Sequence, residues 1–525
     1  MPDNARNDTV CQSILHNIWT PGLVLSFLAI LVRLLVATRR EGIEIDGITY
    51  LANARAMLHD WKSINVLHPP LYSLMLVPFS RLWDDPEWGA RVVSAILGGL
   101  WIWPTLWLAR ETTGEHVPWA AGLLVALMPA AVDASTRVLP EALYGLCLTI
   151  FLVIIVRTLR AGSLGLACFA GIAGGLATLA RPEVMGYLFL SGVLVVLAPL
   201  LWGGEWTWRR VLTRTLAISV LWLAVLSPYL VAVRYQTGHW NWSGKMGVTL
   251  RWAESVGEDR PNAIVERVIT ETRDEDLPPS LLAYVMTRPR EVMRRILINL
   301  HLIDKYTLSG LLQSGGIALV CLGLLHMRWR RPPSPPEWFL AAALLPAAGF
   351  LFFVVESRYF VPLIPILSII AALGLARVGR CGGAAPSRRP GPLGMILLGV
   401  VLLSFVPWIV RPWFRKDPAA IEKTAGLWLR HSAGPGAILI GRYPVMAYYA
   451  EARDIPFARR SLDDLLAQAR KTGARFLVVD NVRLPESRPD LLGLVAWDRG
   501  RQDMEIVYEV EDPAGRRVVI YRILS

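Results

Sequence analysis

Charge is scarce in this chain: only 18% of its 525 residues are Asp, Glu, Lys or Arg, against 54% hydrophobic residues and a mean hydropathy of +0.42. So little charge cannot cover a soluble globule of 58.3 kDa, which excludes an ordinary soluble enzyme. Lysine is scarcer still, six of the 54 basic residues, the other 48 being Arg. Cysteine is sparse too: Cys11, Cys147, Cys168, Cys321 and Cys381 are scattered with no CxxC. That pattern excludes a disulfide framework, a zinc knuckle and a thiol active site. No GxGxxG or GKS motif follows a strand-like run, so nothing points to a nucleotide site, and no internal repeat is visible.

What the chain has instead is long apolar runs. Their length, about 17 to 22 residues, is what a helix needs to cross roughly 30 Å of hydrocarbon. They are not the alternating ten-residue segments of an outer-membrane barrel. Runs near 21–38, 88–109, 117–133, 140–157, 164–180, 184–202, 213–233, 308–327, 338–355, 359–376 and 393–411 predict eleven spans. The first twenty residues are polar and the run after them has no small-residue cleavage site, so it reads as a retained span. With the N-terminus inside, the short inner loops hold Arg157 and Arg160; Arg209, Arg210 and Arg214; Arg328, Arg330 and Arg331; and Arg377, Arg380, Arg388 and Arg389. This is the positive-inside bias. The net charge of +12 and pI near 9.7 therefore report topology in an inner (plasma) membrane, with no nucleic-acid partner.

The expected architecture is mainly α: a polytopic bundle over 1–411 and a small soluble α/β domain over 412–525. An odd span count places 39–87, 234–307 and the C-terminal domain on the non-cytoplasmic side. The last stretch reads as a helix (418–431), a strand GAILIG (436–441), a helix (461–472), a strand FLVVD (476–480) and a hairpin of MEIVYEV and RRVVIYRI around Asp512-Pro513-Ala514-Gly515. In 39–87, Tyr50, Ala54, Met57 and Trp61 recur at helical spacing and predict an interfacial helix laid on the membrane. His68-Pro69-Pro70-Leu71-Tyr72 breaks the chain there, and 71–83 is too short for a full crossing. RPPSPPE (331–337) and GGAAPSRRPGP (382–392) mark inner breaks.

The outer ends of the spans collect acids and arginines: Glu44 and Asp46, Arg137 and Glu141, Arg181 and Glu183, and Glu356 with Arg358 and Tyr359. Brought together, they would make a charged cup at the membrane surface. A carboxylate in such a cup takes a proton from an attacking hydroxyl, while arginines hold a phosphate whose charge grows as it leaves. The carboxylates lack the spacing of a metal site, so no metal or other cofactor is expected.

The motifs Asp46-Gly47-Ile48-Thr49-Tyr50-Leu51-Ala52, HPPLY (68–72), LPEALY (139–144), LARPE (179–183) and SRYFVPLIP (357–365) stand in an order that resembles the bacterial GT-C glycosyltransferases. The resemblance is to the protein-mannosyltransferase-like family 39 and its relatives, the lipid A aminoarabinose and galacturonic acid transferases, and runs over about 20–410. It implies that Asp46 is the first-loop carboxylate serving as base, that Glu141 is the second acidic position, and that Arg358 and Tyr359 lie near the donor phosphate. His68 stands where relatives often carry Lys. Gly47 replaces the second acid of the common Asp-Glu pair, and Thr49 an Arg found in some aminoarabinose transferases. His68, Arg181, Arg358 and Tyr359 are thus the expected donor-phosphate residues, supported by Glu44, Tyr50, Tyr72, Arg137, Glu183 and Lys245.

Each residue also has a plainer reading. Asp46 can cap the helix after it, and Glu141 and Glu183 suit helix N-termini. Arg181 and Arg358 can snorkel at span ends, and His68 can be an interface residue before a proline turn. Lys245, beside Asn241, Ser243 and Gly244, can be a solvated charge. The 21 Trp residues fit aromatic belts. The expected activity is transfer of a monosaccharide from a polyprenyl-phosphate sugar to a glycan, lipid or protein acceptor, with inversion. A lipid-sugar transporter, which would show broken helices at the midplane and repeated halves, and a non-catalytic scaffold are the alternatives.

Overall fold

Seven helices of the described chain are long and apolar enough to cross a membrane: Trp19–Ala37, Pro86–Thr113, Glu141–Ala161, Pro182–Leu201, Trp208–Thr237, Ser357–Val378 and Pro392–Phe414. The computed structural model describes residues 3–524 except 60–63, 83–84, 115–116, 203–205, 245–284, 304–307, 326, 328–336, 379–391, 415–416, 418, 442, 456–460, 483 and 496–502. Lys245, Trp61, most of the 234–307 segment and most of the two Pro-rich breaks lie outside the described residues.

The count of eleven spans is thus corrected to seven. The other four apolar runs form helices of 10–17 residues, Pro118–Leu127, Leu164–Ala180, Ser309–Leu325 and Trp338–Phe352. Leu164–Ala180 is unbroken and only 17 residues long; in the other three the backbone is broken, which hydropathy alone misses. Met128 is extended before Pro129, Gln313 leaves helical geometry at φ 57°, and 338–352 is a short α-helix followed by a 3-10 helix.

In chain order the first helices are α1 (Asp3–Ala37), α2 (Ile45–His59), α3 (Leu71–Leu82), α4 (Pro86–Leu100), α5 (Ile102–Thr113), α6 (Pro118–Leu127), α7 (Pro129–Ala134), α8 (Glu141–Ala161), α9 (Leu164–Ala180), α10 (Met185–Trp202) and α11 (Trp208–Thr237). Two units emerge. One comprises Met1–Thr38, Tyr50–Met246 and Pro289–Arg411; the other comprises Arg39–Thr49, Gly247–Arg288 and Pro412–Ser525. In the first, α9 lies against α8 and α11. Small residues permit the approach to α11: a Cβ on Gly171 would sit 2.6 Å from the Ile218 carbonyl, and one on Gly175 2.6 Å from Val225 Cβ. Two glycines four apart let backbones meet where lipid supplies no hydrophobic drive.

The stripe on α2 does not face lipid. Tyr50, Ala54 and Met57 are buried by protein, so this face of the helix packs on the chain itself. α3 has 12 residues with Pro78 inside, too few to cross.

The second unit holds a five-stranded sheet in the order β2-β1-β3-β5-β4, where β1 is Ile438–Ile440, β2 Arg453–Ile455, β3 Phe476–Asp480, β4 Met504–Glu511 and β5 Arg517–Ile523. β1 runs parallel to β2 and β3, and β5 antiparallel to β3 and β4. The period of two divides the core between the two sheet faces. Ile440, Leu477 and Val479 join Leu465 and Leu466 of helix Leu462–Thr472, while Leu439, Phe476 and Val478 join Ile421 and Leu429 of helix Ala420–Ala433. Ser461 and Asp464 close a capping box on the first of these helices. Asp512 Oδ1 accepts from the backbone amides of Ala514 and Arg516 in the β4–β5 turn.

Helix Pro444–Ala450 ends on Glu451 in the left-handed region, φ 50° and ψ 37°. A Cβ-bearing residue there costs about 1 kcal/mol, and the half-exposed pair of Glu451 with Arg430, at 3.0 Å, offsets only part of that. Glu451→Gly is therefore expected to raise the thermal midpoint of this unit slightly, by thermal unfolding of the full chain. A lowered midpoint would show that the ion pair outweighs the strain.

Candidate active site

The first group of site residues is assembled by helix ends within the first unit. α9 stops at Arg181, whose backbone is extended (φ −154°, ψ 137°) because Pro182 follows and begins the 3-10 turn Pro182–Val184. That turn sends the Arg181 side chain between two carboxylates. Arg181 Nη1 donates to Glu141 Oε1 at 2.8 Å and Nη2 to Glu183 Oε1 at 2.8 Å, with Nε 3.2 Å from both Glu183 oxygens. Glu141 is the first residue of α8, where an acid suits the helix dipole. Its side chain is 1% exposed and that of Arg181 14%. Burial opposes the Arg181 charge, yet Glu183 and Glu141 outweigh it and hold the guanidinium charged well beyond the usual arginine range.

Tyr359 sits beside this cluster. Its ring centroid is 5.0 Å from the Arg181 guanidinium and 5.3 Å from that of Arg358, so two cations flank one π system. Arg358 Nε donates to Glu356 Oε2 at 2.6 Å, and Phe350 stacks on Tyr359 at 5.5 Å. The approach to this segment is held from helix Pro289–Leu302. Asn299 Nδ2 donates to the carbonyls of Leu351 and Phe353 at 2.9 and 2.8 Å, and Arg295 Nη1 to that of Phe352. Glu141, Arg181, Glu183, Arg358 and Tyr359 thus come together from three separate parts of the sequence.

A second group surrounds His68. Tyr50 OH lies 3.5 Å from His68 Nδ1, Tyr72 meets Tyr50 edge-on at 5.1 Å, and the Tyr72 hydroxyl shares a 2.6 Å hydrogen bond with Ser94. All four are buried. The preceding loop is clamped from three sides. Asn53 exchanges two 2.9 Å bonds with the Asn65 backbone, Tyr229 OH donates to the Val66 carbonyl at 2.9 Å, and Gln236 Nε2 donates to the Ile64 carbonyl at 2.6 Å.

Arg137 is occupied by Asp133, with Nε 2.9 Å from Oδ2 and Nη2 3.2 Å from Oδ1. Glu44 and Asp46 are half-buried at the start of α2, in the second unit. Asp46 is the second residue of that helix, and Glu44 precedes its first. Asp46 thus lies in the first turn, where an acid suits the helix dipole. Asp133 stands four residues before Arg137, which lies beyond the end of α7; Phe350, Asn299 and Ser94 carried no sequence signal. Among the described residues, no three His, Cys, Asp or Glu side chains are grouped to hold a metal ion.

A family model described as dolichyl-phosphate-mannose-protein mannosyltransferase matches residues 67–231, the stretch from the His68 loop through Glu141 and Arg181 into α11. No curated protein sequence matches the chain. Among solved structures, ArnT from Cupriavidus metallidurans in the apo state is 15% identical with a TM-score of 0.59, over 95% of this chain and 97% of that one. The same protein bound to undecaprenyl phosphate gives a TM-score of 0.58, at the same identity and coverage. The Archaeoglobus fulgidus oligosaccharyltransferase in the apo form gives 0.57 at 15% identity, over 95% of this chain and 74% of that one. The chain shares the fold of these structures. The likeness covers 95% of the chain.

Proposed function

We propose that the protein is a membrane glycosyltransferase of the family 39 type, moving a monosaccharide from a polyprenyl-phosphate donor to an acceptor on the non-cytoplasmic face of a bacterial inner membrane. The observation that carries this reading is the buried Glu141–Arg181–Glu183 cluster, with Arg358 and Tyr359 beside it at the ends of membrane helices. A polyprenyl phosphate lies in a bilayer with its headgroup at that depth. Two of the matching structures support the donor class by what they hold: undecaprenyl phosphate in ArnT and a dolichol-phosphate in the archaeal oligosaccharyltransferase AglB.

In the proposed reaction an acceptor hydroxyl attacks the anomeric carbon, and Asp46 takes its proton. The bond from that carbon to the phosphate oxygen breaks with its electron pair, leaving polyprenyl phosphate with one more negative charge and a sugar inverted at the anomeric carbon. Arg181 and Arg358 offset that charge. Because Arg181 stays charged throughout, it acts as a fixed electrostatic partner, not a proton donor. Glu141, buried behind a direct bond to Arg181, orients the guanidinium instead of meeting an acceptor. His68, whose Nδ1 faces the Tyr50 hydroxyl, is the third residue proposed at the donor phosphate.

The test is transfer itself. Purified protein mixed with radiolabelled polyprenyl-phosphate sugars and membrane extract should move label from lipid to acceptor. Folded protein that binds a lipid sugar and never transfers it would replace this reading with a transporter.

A further inference from the structure

Arg33 lies inside α1 with no exposed surface, on a span where an unpaired cation is costly. Among the described residues no carboxylate pairs with it. Its guanidinium Nη1 donates to the Ala126 carbonyl at 2.8 Å and to the Ala29 carbonyl at 3.1 Å, and Nη2 to the Val125 carbonyl at 3.2 Å.

Val125 and Ala126 are the carbonyls that the break after α6 strands. In a continuous helix Val125 O would accept from the amide of residue 129, which is proline and has none. Ala126 O would accept from Ala130, but Met128 is extended at ψ 123° and α7 starts afresh at Pro129. Two orphaned carbonyls inside a membrane bundle need replacement donors, and the fork of one arginine supplies both. The negative end of the α6 dipole also favours the charge. Packing is tight here: a Cβ on Gly98 would lie 2.6 Å from Arg33 Nε and 2.4 Å from Ser135 Oγ.

The break matters because of what α7 holds. α7 packs on α8, which begins at Glu141, and on the turn Val361–Leu363, which follows Tyr359. Ser135 and Thr136 then fold the chain back onto α7 through bonds to the carbonyls of Ala131 and Asp133. We infer that Arg33 is a positioning residue: by capping the α6–α7 break it fixes α7, and through it the spacing between Glu141–Arg181 and Arg358–Tyr359. The inference rests on the transferase reading above for its activity half only.

The test is a double-mutant cycle in the full-length detergent-solubilised chain. Arg33→Met should lower the thermal midpoint by roughly 5–10 °C and the turnover number on the order of 100-fold, with little change in donor KM. Pro129→Ala restores an amide for Val125. Arg33→Met/Pro129→Ala should therefore recover most of the lost stability while transfer stays low, because a straightened α6–α7 displaces Glu141. Recovery of both would reduce Arg33 to a folding role and overturn the inference. So would near-normal turnover in Arg33→Met, or a double variant no more stable than Arg33→Met. Wild-type protein that transfers nothing would remove the positioning role together with the functional reading, whereas the stability cycle would still decide the capping.

Discussion

Asp46→Asn is expected to fold, to bind the donor lipid and to lose transfer by 10²- to 10⁴-fold, the range a positioned general base contributes. Asn keeps the size and the hydrogen-bonding oxygen and removes only the proton acceptor. Asp46 is half-buried in the first turn of α2, where a neutral side chain is tolerated, with a loss of no more than about 1 kcal/mol from the helix dipole. The measurement pairs a label-transfer rate with a donor-binding isotherm on the same preparation. Retained turnover would sink the role assigned to Asp46, and lost binding would move it to donor recognition.

The second large effect concerns Arg181. Removing the guanidinium in Arg181→Met leaves Glu141, 1% exposed, buried without its partner, at a cost of roughly 3–5 kcal/mol. Transfer should vanish along with the stability. Adding Glu141→Gln removes the orphaned charge, so the double variant should regain most of the stability and none of the activity. Arg181→Lys separates charge from geometry: one ammonium cannot reproduce bonds to both Glu141 and Glu183, and a marked loss of transfer with modest destabilisation is expected. A double variant that transfers sugar would show that the pair serves only the fold.

Much of this was legible because membrane helices and β-strands write their periods plainly. FLVVD is a strand of five buried residues at 476–480 in sequence and in structure alike, and the last hairpin lies where its alternation places it. Short elements are different. β2 is three residues long and helix Pro444–Ala450 seven, too few for any period to register. The spans were overcounted because hydropathy reads composition, whereas crossing depends on unbroken backbone, and the break at Met128-Pro129 halves an apolar run without making it less apolar. In the candidate site, the place of Arg181 and Glu141 at helix ends was visible. That they bond to each other, 40 positions apart, is a property of packing, as is the Phe350–Tyr359 stack. The stripe on α2 was read correctly as a face, but what covers it is tertiary.

The length of α11 has a mechanical meaning. Its 30 residues measure about 45 Å at 1.5 Å each, roughly 15 Å more than the hydrocarbon layer. Its foot carries Arg209, Arg210 and Arg214, and its far third carries Tyr229 and Gln236, which grip the loop ahead of His68. That loop hangs from the end of α11 opposite the three arginines. Its distance from that arginine foot is set by counting residues along one helix.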